Sequence, residues 1–382
     1  MGLSSAFSST GRGRFAAAIG VAAVAAIGLT ACFSSTNKPA TNPTSSGAAT
    51  TAFSCPASTS GQWAPTIAAP TATAPASSAG GKVSIVGFST PKLAYGALET
   101  AFQATPAGKG VSFSESYGPS GSQSKAVAAG QPADYVALSL TPDVTKLVPK
   151  FVADSWDSGT TAGIVSQSIV VIAVRPGNPK HICGWNDLIK SGIKIVTPDP
   201  ATSGSAKWNI LAAYSHVLED GGTAAQAQDY LKSFFKNVVA KPDSGSDATT
   251  TFLSGTGDAL ISYENEAIAA RQAGKKLDYV VPAESILIQN PGAVTVKAGA
   301  SAANFLEFVE STQGQAIFAS KGFRPVTTGV TVGSVAGAND PSNPFPNPQH
   351  LETIANLGGW KTVNTEFFDP DNGIVTKIEG GS

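Results

Sequence analysis

Residues 82–382 read as an α/β fold, a stretch long enough for two lobes. Three observations carry this expectation. Strand-like and helix-like patterns alternate along the stretch, residues 169–174 form a continuous apolar run of the kind buried on both faces of a sheet, and three Ser/Gly turns stand where helices open. In chain order, 83–88 reads as a strand, 93–103 as a helix, 169–174 as the buried strand, and 188–189, 193–196 and 208–218 continue the alternation. Within 208–218, Trp208, Leu211, Ala212, Ser215 and Leu218 share one helical face, and Gly221-Gly222 supplies the stop.

The turns carry the chemistry. Residues 193–209 begin as a buried-strand pattern, break at Ala201-Thr202-Ser203-Gly204-Ser205 and then open a helix. The first N–H groups of a helix have no partner within it, so a small-residue turn there lets an oxyanion approach free donors and the positive dipole end. The layout recurs at Tyr117-Gly118-Pro119-Ser120-Gly121-Ser122-Gln123 and at Asp243-Ser244-Gly245-Ser246-Asp247. Three donor-rich turns suggest one shared ligand. On pattern alone, Ser120 and Ser203 also fit ordinary helix caps.

With 25 basic and 26 acidic side chains, the net charge of −1 implies neither nucleic acid nor an anionic membrane surface as partner. Arg12 and Arg14 precede an apolar stretch at 15–29 that reads as a signal peptide spanning residues 1–31. It ends in Leu29-Thr30-Ala31-Cys32, which resembles a bacterial lipobox with Cys32 as the lipidated residue. Residues 32–81 are dominated by Ser, Thr, Ala and Pro and are expected to form an unfolded tether. The mature chain carries no membrane-spanning element in this reading and no repeat beyond two lobes. Cys55 and Cys183 allow a bridge in an oxidising exterior, and two unpaired thiols fit the spacing equally well. His181, His216 and His350 show no ligand spacing, so no metal or cofactor is expected. Glu264 and Glu266 read as first-turn acids complementing a helix dipole, and Lys207 as a residue of a solvated helix face.

The segment 170–209, with Arg175-Pro176-Gly177-Asn178-Pro179-Lys180, Trp185-Asn186-Asp187-Leu188, Thr197-Pro198-Asp199-Pro200 and Trp208-Asn209, resembles the sulfate-binding proteins of ABC transporters. Gly118 to Gln123, Asp243-Ser244-Gly245, the run Gly257 to Ala267, Gly314-Gln315, Arg324-Pro325 and Gly358-Gly359-Trp360 agree in order. The resemblance implies a type II-like periplasmic clamshell with hinge strands near 166–169 and 285–288. One lobe would combine 82–165 with 284–325, the other would hold 166–283, and 326–382 would pack back across both.

The same resemblance implies an extracytoplasmic, lipid-anchored, monomeric receptor that passes sulfate, and thiosulfate with it, to an ABC permease, with no enzymatic activity. Ser120 stands at the family's first-lobe serine, donating through hydroxyl and backbone. Ser203, Gly204 and Ser205 stand at its Ser-Gly-Gly, from which Ser205 departs. Ser246 lies near an alanine that donates its N–H. Tyr263 replaces a tryptophan, which leaves open a core aromatic instead of a ligand donor. Ser89 and Asp247 stand where the family carries an interlobe Asp–Arg pair, so that pair is missing. Asp247 either caps its own helix or faces the cleft, where it would favour a protonated anion. Two rivals follow: the same fold holding phosphate or molybdate, and an exported hydrolase, for which no Ser/His pairing or nucleophile elbow is evident.

Overall fold

The computed structural model describes residues 54–71 and 80–380. The expected signal peptide, the lipidation residue Cys32 and the tether up to residue 53 lie outside the described residues.

A short strand, β1 (Thr59–Gln62), precedes the first lobe. That lobe is built from β2 (Gly81–Phe88), α1 (Lys92–Gln103), β3 (Val111–Gly118), α2 (Ser120–Ala128), β4 (Tyr135–Ala137) and α3 (Thr141–Thr145). The fully buried strand β5 (Ile164–Val174) then leads to α4 (Trp185–Leu188), β6 (Ile195–Val196), α5 (Gly204–Glu219), α6 (Ala224–Asn237) and β7 (Val238–Ala240). The second lobe is completed by α7 (Gly245–Leu253), β8 (Ala259–Tyr263), α8 (Glu264–Gln272) and β9 (Asp278–Val280). The chain returns through β10 (Glu284–Val294) to α9 (Ala300–Glu310) and α10 (Thr312–Ser320), and ends with β11 (Pro346–Pro348), β12 (His350–Glu352), α11 (Gly359–Phe367) and α12 (Ile374–Glu379).

Among the described residues the main sheet runs β3-β2-β4-β10-β5-β8-β6-β7. The pairs β2·β3 and β2·β4 are parallel, as are β6·β8 and β6·β7, which is the pattern expected where helices cross over between strands. The antiparallel strands β5 and β10 join the two halves. At its far end β10 pairs with β4 of the first lobe, in its middle it pairs with β5 from Leu287↔Ile169 to Pro291↔Ile164, and the rest of β5 pairs with β8 and β9. A two-lobed α/β clamshell results.

Arg324 fastens this junction. Its guanidinium, fully buried, forms two bonds to the carboxylate of Glu264, Nε to Oε2 at 2.8 Å and Nη2 to Oε1 at 3.0 Å, and donates to the carbonyl of Pro346 at 2.7 Å. Its backbone N–H donates to the Gln167 carbonyl at 2.9 Å. A buried ion pair persists only when such extra bonds satisfy both partners.

Two expectations are corrected. Residues 54–71 are not unfolded tether: β1 pairs with β11, the Trp63 indole donates to the Pro325 carbonyl at 2.8 Å, and Ile67 bridges Thr327. Cys55 and Cys183 form a disulfide with Cα atoms 5.3 Å apart, which closes one of the two alternatives left by spacing. The bridge and the Trp63 contact supply what a Ser/Thr/Pro composition lacks. The tail touches residues of both expected lobes: the Val326 N–H donates to Gln315 Oε1 at 2.9 Å and β12 pairs with Glu284–Ile286 of β10, while its aromatic residues pack on the second lobe. Trp360 meets Trp208 edge-on at 4.8 Å, and Phe367 meets Tyr214 at 4.7 Å. Both faces of α5 are therefore covered, and Lys207 is not on a solvated face. Its Nζ donates to Asn364 Oδ1 at 3.2 Å over the Phe368 ring, and burial lowers its pKa to about 8.

Candidate functional site

The three turns singled out by composition become the starts of α2, α5 and α7. In α7 the N-cap Ser244 accepts from the N–H of Asp247 in the first turn. In α2 and α5 the N-caps Pro119 and Ser203 make no side-chain cap bond, so the first-turn donors of those helices keep their capacity for a ligand. Ser203 thus has the position of a cap without making its bond, and Ser120 is the first residue of the helix itself.

Glycines bring the starts together. A Cβ on Gly204 would lie 2.7 Å from Ser139 Cβ and 2.9 Å from Leu140 Cγ, across the cleft. A Cβ on Gly245 would lie 2.9 Å from Ser205 Oγ and 3.1 Å from Thr90 Oγ1, and one on Gly121 would lie 3.3 Å from the Thr202 carbonyl oxygen. Only residues without side chains allow this approach. Beside the α5 and α7 starts lies a closed void too narrow to admit a water molecule, lined among others by Thr90, Ser205, Asn209, Gly245, Tyr263 and Glu266. A hollow of about 450 Å³ lies open beside Lys232, Lys236 and Lys241, and none of the residues at these helix starts lines it.

Hydroxyl pairs surround the void. Ser203 Oγ and Ser205 Oγ are 2.8 Å apart, and Ser139 Oγ and Tyr263 Oη are 2.9 Å apart. Each pair owns two hydroxyl protons and uses one between its members, so each keeps one to aim elsewhere. Burial pushes the Tyr263 phenol far above its ordinary range, which keeps it a neutral donor at any working pH. Ser120 differs. Its hydroxyl donates to Asp143 Oδ2 at 2.8 Å and accepts the Ser139 N–H at 3.0 Å, so its backbone is what it can offer a ligand.

Ser89 sits at the rim, where its hydroxyl accepts the N–H of Ser246 at a long 3.5 Å. The Ser246 hydroxyl donates to Glu266 Oε1 at 3.0 Å. Asp247 is exposed, and its carboxylate takes the Ser244 hydroxyl at 2.6 Å. It holds the cap residue of its own helix, and it is not among the residues that line the void.

Sequence reasoning missed Ser139, Thr90 and Glu266. Ser139 follows the short strand β4 without a turn signature, and its role depends on Tyr263, Trp208 and Asn290 reaching it from distant elements: the Trp208 indole and the Asn290 amide both donate to its carbonyl, at 3.1 and 3.0 Å. Glu266 is a first-turn acid of α8, but it is buried, and hydroxyls rather than the helix dipole hold it: besides Ser246, those of Thr249 (2.5 Å) and Ser262 (3.5 Å) reach Oε2.

A clamshell whose cleft is lined by helix starts and hydroxyls defines a class of ligand-capturing proteins outside the cytoplasmic membrane. Residues 83–324 match the family model of bacterial extracellular solute-binding proteins, and the chain belongs to that family. The fold superposes on the sulfate-binding protein SubI from Mycobacterium tuberculosis with a TM-score of 0.71 and 41% identity, covering 75% of this chain and 99% of that one. In sequence it is 38% identical over 310 residues to a sulfate-binding protein of Synechococcus elongatus, covering 78% of this chain and 86% of that protein. It is 30% identical over 285 residues to a thiosulfate-binding protein of Pseudomonas aeruginosa, covering 71% and 83%.

Proposed function

We propose that the chain captures sulfate, and thiosulfate as a related tetrahedral anion, between its lobes and delivers it to an ABC importer, without catalysis. The observation that carries this reading is the meeting of the α2 and α5 starts, with no side-chain cap bond at either, beside hydroxyl pairs that each keep a proton free. Sulfate is a fully ionised anion at neutral pH and only accepts hydrogen bonds, so a donor-only ring suits it, each charge-assisted bond contributing roughly 1.5–3 kcal/mol.

In this reading Ser120 contributes its backbone N–H from the first lobe, with Ser139 supporting Tyr263. Ser203 contributes its hydroxyl, Gly204, Ser205 and Ser246 their N–H groups, Tyr263 its phenol, and Ser89 closes the rim. The lobes close about β5 and β10. A protonated anion such as hydrogen phosphate would need an acceptor in the cleft. Asp247 is taken up by Ser244 and does not line the void, and three hydroxyls occupy the Glu266 carboxylate, which weighs against phosphate. Sequence features outside the described residues support the setting: an export signal, a lipid on Cys32 and a tether that lets a monomeric receptor reach its permease.

Thermal unfolding with each anion at millimolar concentration tests the reading. Sulfate is expected to raise the midpoint, because a ligand that binds only the native state stabilises it by RT ln(1 + [L]/Kd). A shift with phosphate or molybdate and none with sulfate would overturn it.

A further inference from the structure

The serine at the start of α2 has its hydroxyl committed to the protein. Ser120 Oγ donates its one proton to Asp143 Oδ2 at 2.8 Å and accepts the Ser139 N–H at 3.0 Å. Asp143, 3% exposed, lies in the first turn of α3, and its backbone carbonyl takes the Ser124 hydroxyl at 2.6 Å, which fastens α3 to α2. Lys146 Nζ reaches the other carboxylate oxygen at 3.0 Å. An ionised carboxylate only accepts, so the direction of the bond from Ser120 is fixed. The arrangement recurs at α7, where the Ser246 hydroxyl donates to the buried Glu266 at 3.0 Å, whereas at α5 the hydroxyls of Ser203 and Ser205 meet each other.

We propose that Asp143 is a positioning residue that sets anion selectivity: by holding the Ser120 hydroxyl it leaves α2 only N–H groups to present, and so disfavours anions that carry a proton. This deepens the solute-capture reading and rests on it. A free hydroxyl both donates and accepts, so it takes the O–H of hydrogen phosphate as readily as it donates to sulfate, whereas a backbone N–H only donates. A ligand O–H enclosed without an acceptor loses the bond it made to water, and sulfate brings no such proton. Asp143 itself touches no ligand in this account. It acts through Ser120, and the charge-assisted bond between them is stronger than one between neutral groups, which keeps the hydroxyl from turning to the cleft.

Isothermal titration of the full chain with sulfate, phosphate and molybdate tests this through the ratio of affinities, which a merely structural role would not move. Asp143→Ala is expected to narrow the preference for sulfate over phosphate roughly tenfold, chiefly through tighter phosphate binding. Asp143→Asn should keep the wild-type ratio, because its amide oxygen still accepts the Ser120 proton although the charge facing Lys146 is gone. Adding Ser120→Ala to Asp143→Ala should return the ratio to the wild-type value, since no hydroxyl is left to turn. Asp143→Leu, which fills the same space, replaces the alanine variant if that one fails to fold. A wild-type ratio in Asp143→Ala or Asp143→Leu would overturn the proposal, as would an equal change in Asp143→Asn, which would assign the effect to the lost charge. If the wild-type protein bound molybdate and not sulfate, the proposed ligand would fall while the molybdate-to-phosphate ratio in the same variants still decided the role of Asp143. A wild-type preference for phosphate would overturn both.

Discussion

The Tyr263 hydroxyl stands 2.9 Å from that of Ser139, joining the end of β8 in one lobe to the turn after β4 in the other. Removing either hydroxyl leaves its partner buried with one bond fewer. Tyr263→Phe and Ser139→Ala are each expected to weaken sulfate binding roughly tenfold by isothermal titration. Unchanged affinity in both would remove this pair from the site.

At Gly204 the lobes come too close to leave room for a side chain. An alanine there places a methyl group 2.7 Å from Ser139 Cβ, a contact that opening the cleft relieves. Gly204→Ala should therefore lower sulfate affinity about tenfold or more while leaving the unfolding midpoint of the free protein nearly as it was. A large loss of stability with unchanged affinity would show that the contact belongs to one lobe's packing instead.

The pair of Glu264 and Arg324, both fully buried, is expected to behave as a structural unit. Glu264→Gln strands a buried guanidinium, so urea unfolding should report a loss on the order of 3–5 kcal/mol. A loss below about 1 kcal/mol would mean that the carbonyls of Pro346 and the other partners suffice.

Cys55 and Cys183 are separated by 128 residues, so opening their bridge frees a long loop in the unfolded chain. Cys183→Ser is expected to lower stability by roughly 4–5 kcal/mol in denaturant titrations, within the usual range for long loops. Sulfate affinity should survive, because the bridge lies away from the helix starts.

His216 carries a pH dependence. Its Nδ1 donates to the Ala213 carbonyl at 2.7 Å, its ring lies between Trp185 and Tyr230, and burial lowers its pKa from the ordinary 6.5 to about 4. Between these values the unfolded chain binds the proton that the folded chain refuses, so stability is full above about 6.5 and falls as pH drops towards about 4, by up to ~3 kcal/mol. His216→Gln should flatten that part of the stability-versus-pH curve. An unchanged slope would assign the acid sensitivity to other groups.

Much of the architecture was legible in local pattern. The apolar run at 169–174 lies in β5, the strands and helices at 83–88, 93–103 and 208–218 lie in β2, α1 and α5, and the three small-residue turns became the starts of α2, α5 and α7. What local pattern could not carry was tertiary. Residues 54–71 have a tether's composition, and they fold because Trp63 meets Pro325 and Cys55 meets Cys183, partners more than a hundred residues away. Lys207 looked solvated because nothing near it in sequence announces the cover of Asn364 and Phe368. Ser139 and Glu266 sit in segments that read as ordinary sheet exit and helix entry; Tyr263 and Trp208 reach Ser139 from the other lobe, and the partners of Glu266 come from α7 and β8.

The central claim is a donor-only site for a fully ionised tetrahedral anion. Isothermal titration of the protein with sulfate, thiosulfate, phosphate and molybdate, repeated from about pH 5 to pH 8, tests it most directly. Tight sulfate binding that barely changes across this range is the expected result, since neither sulfate nor the neutral hydroxyl and N–H donors titrate there. Preference for phosphate, with an affinity that follows its protonation, would place an acceptor at the ligand and contradict the account.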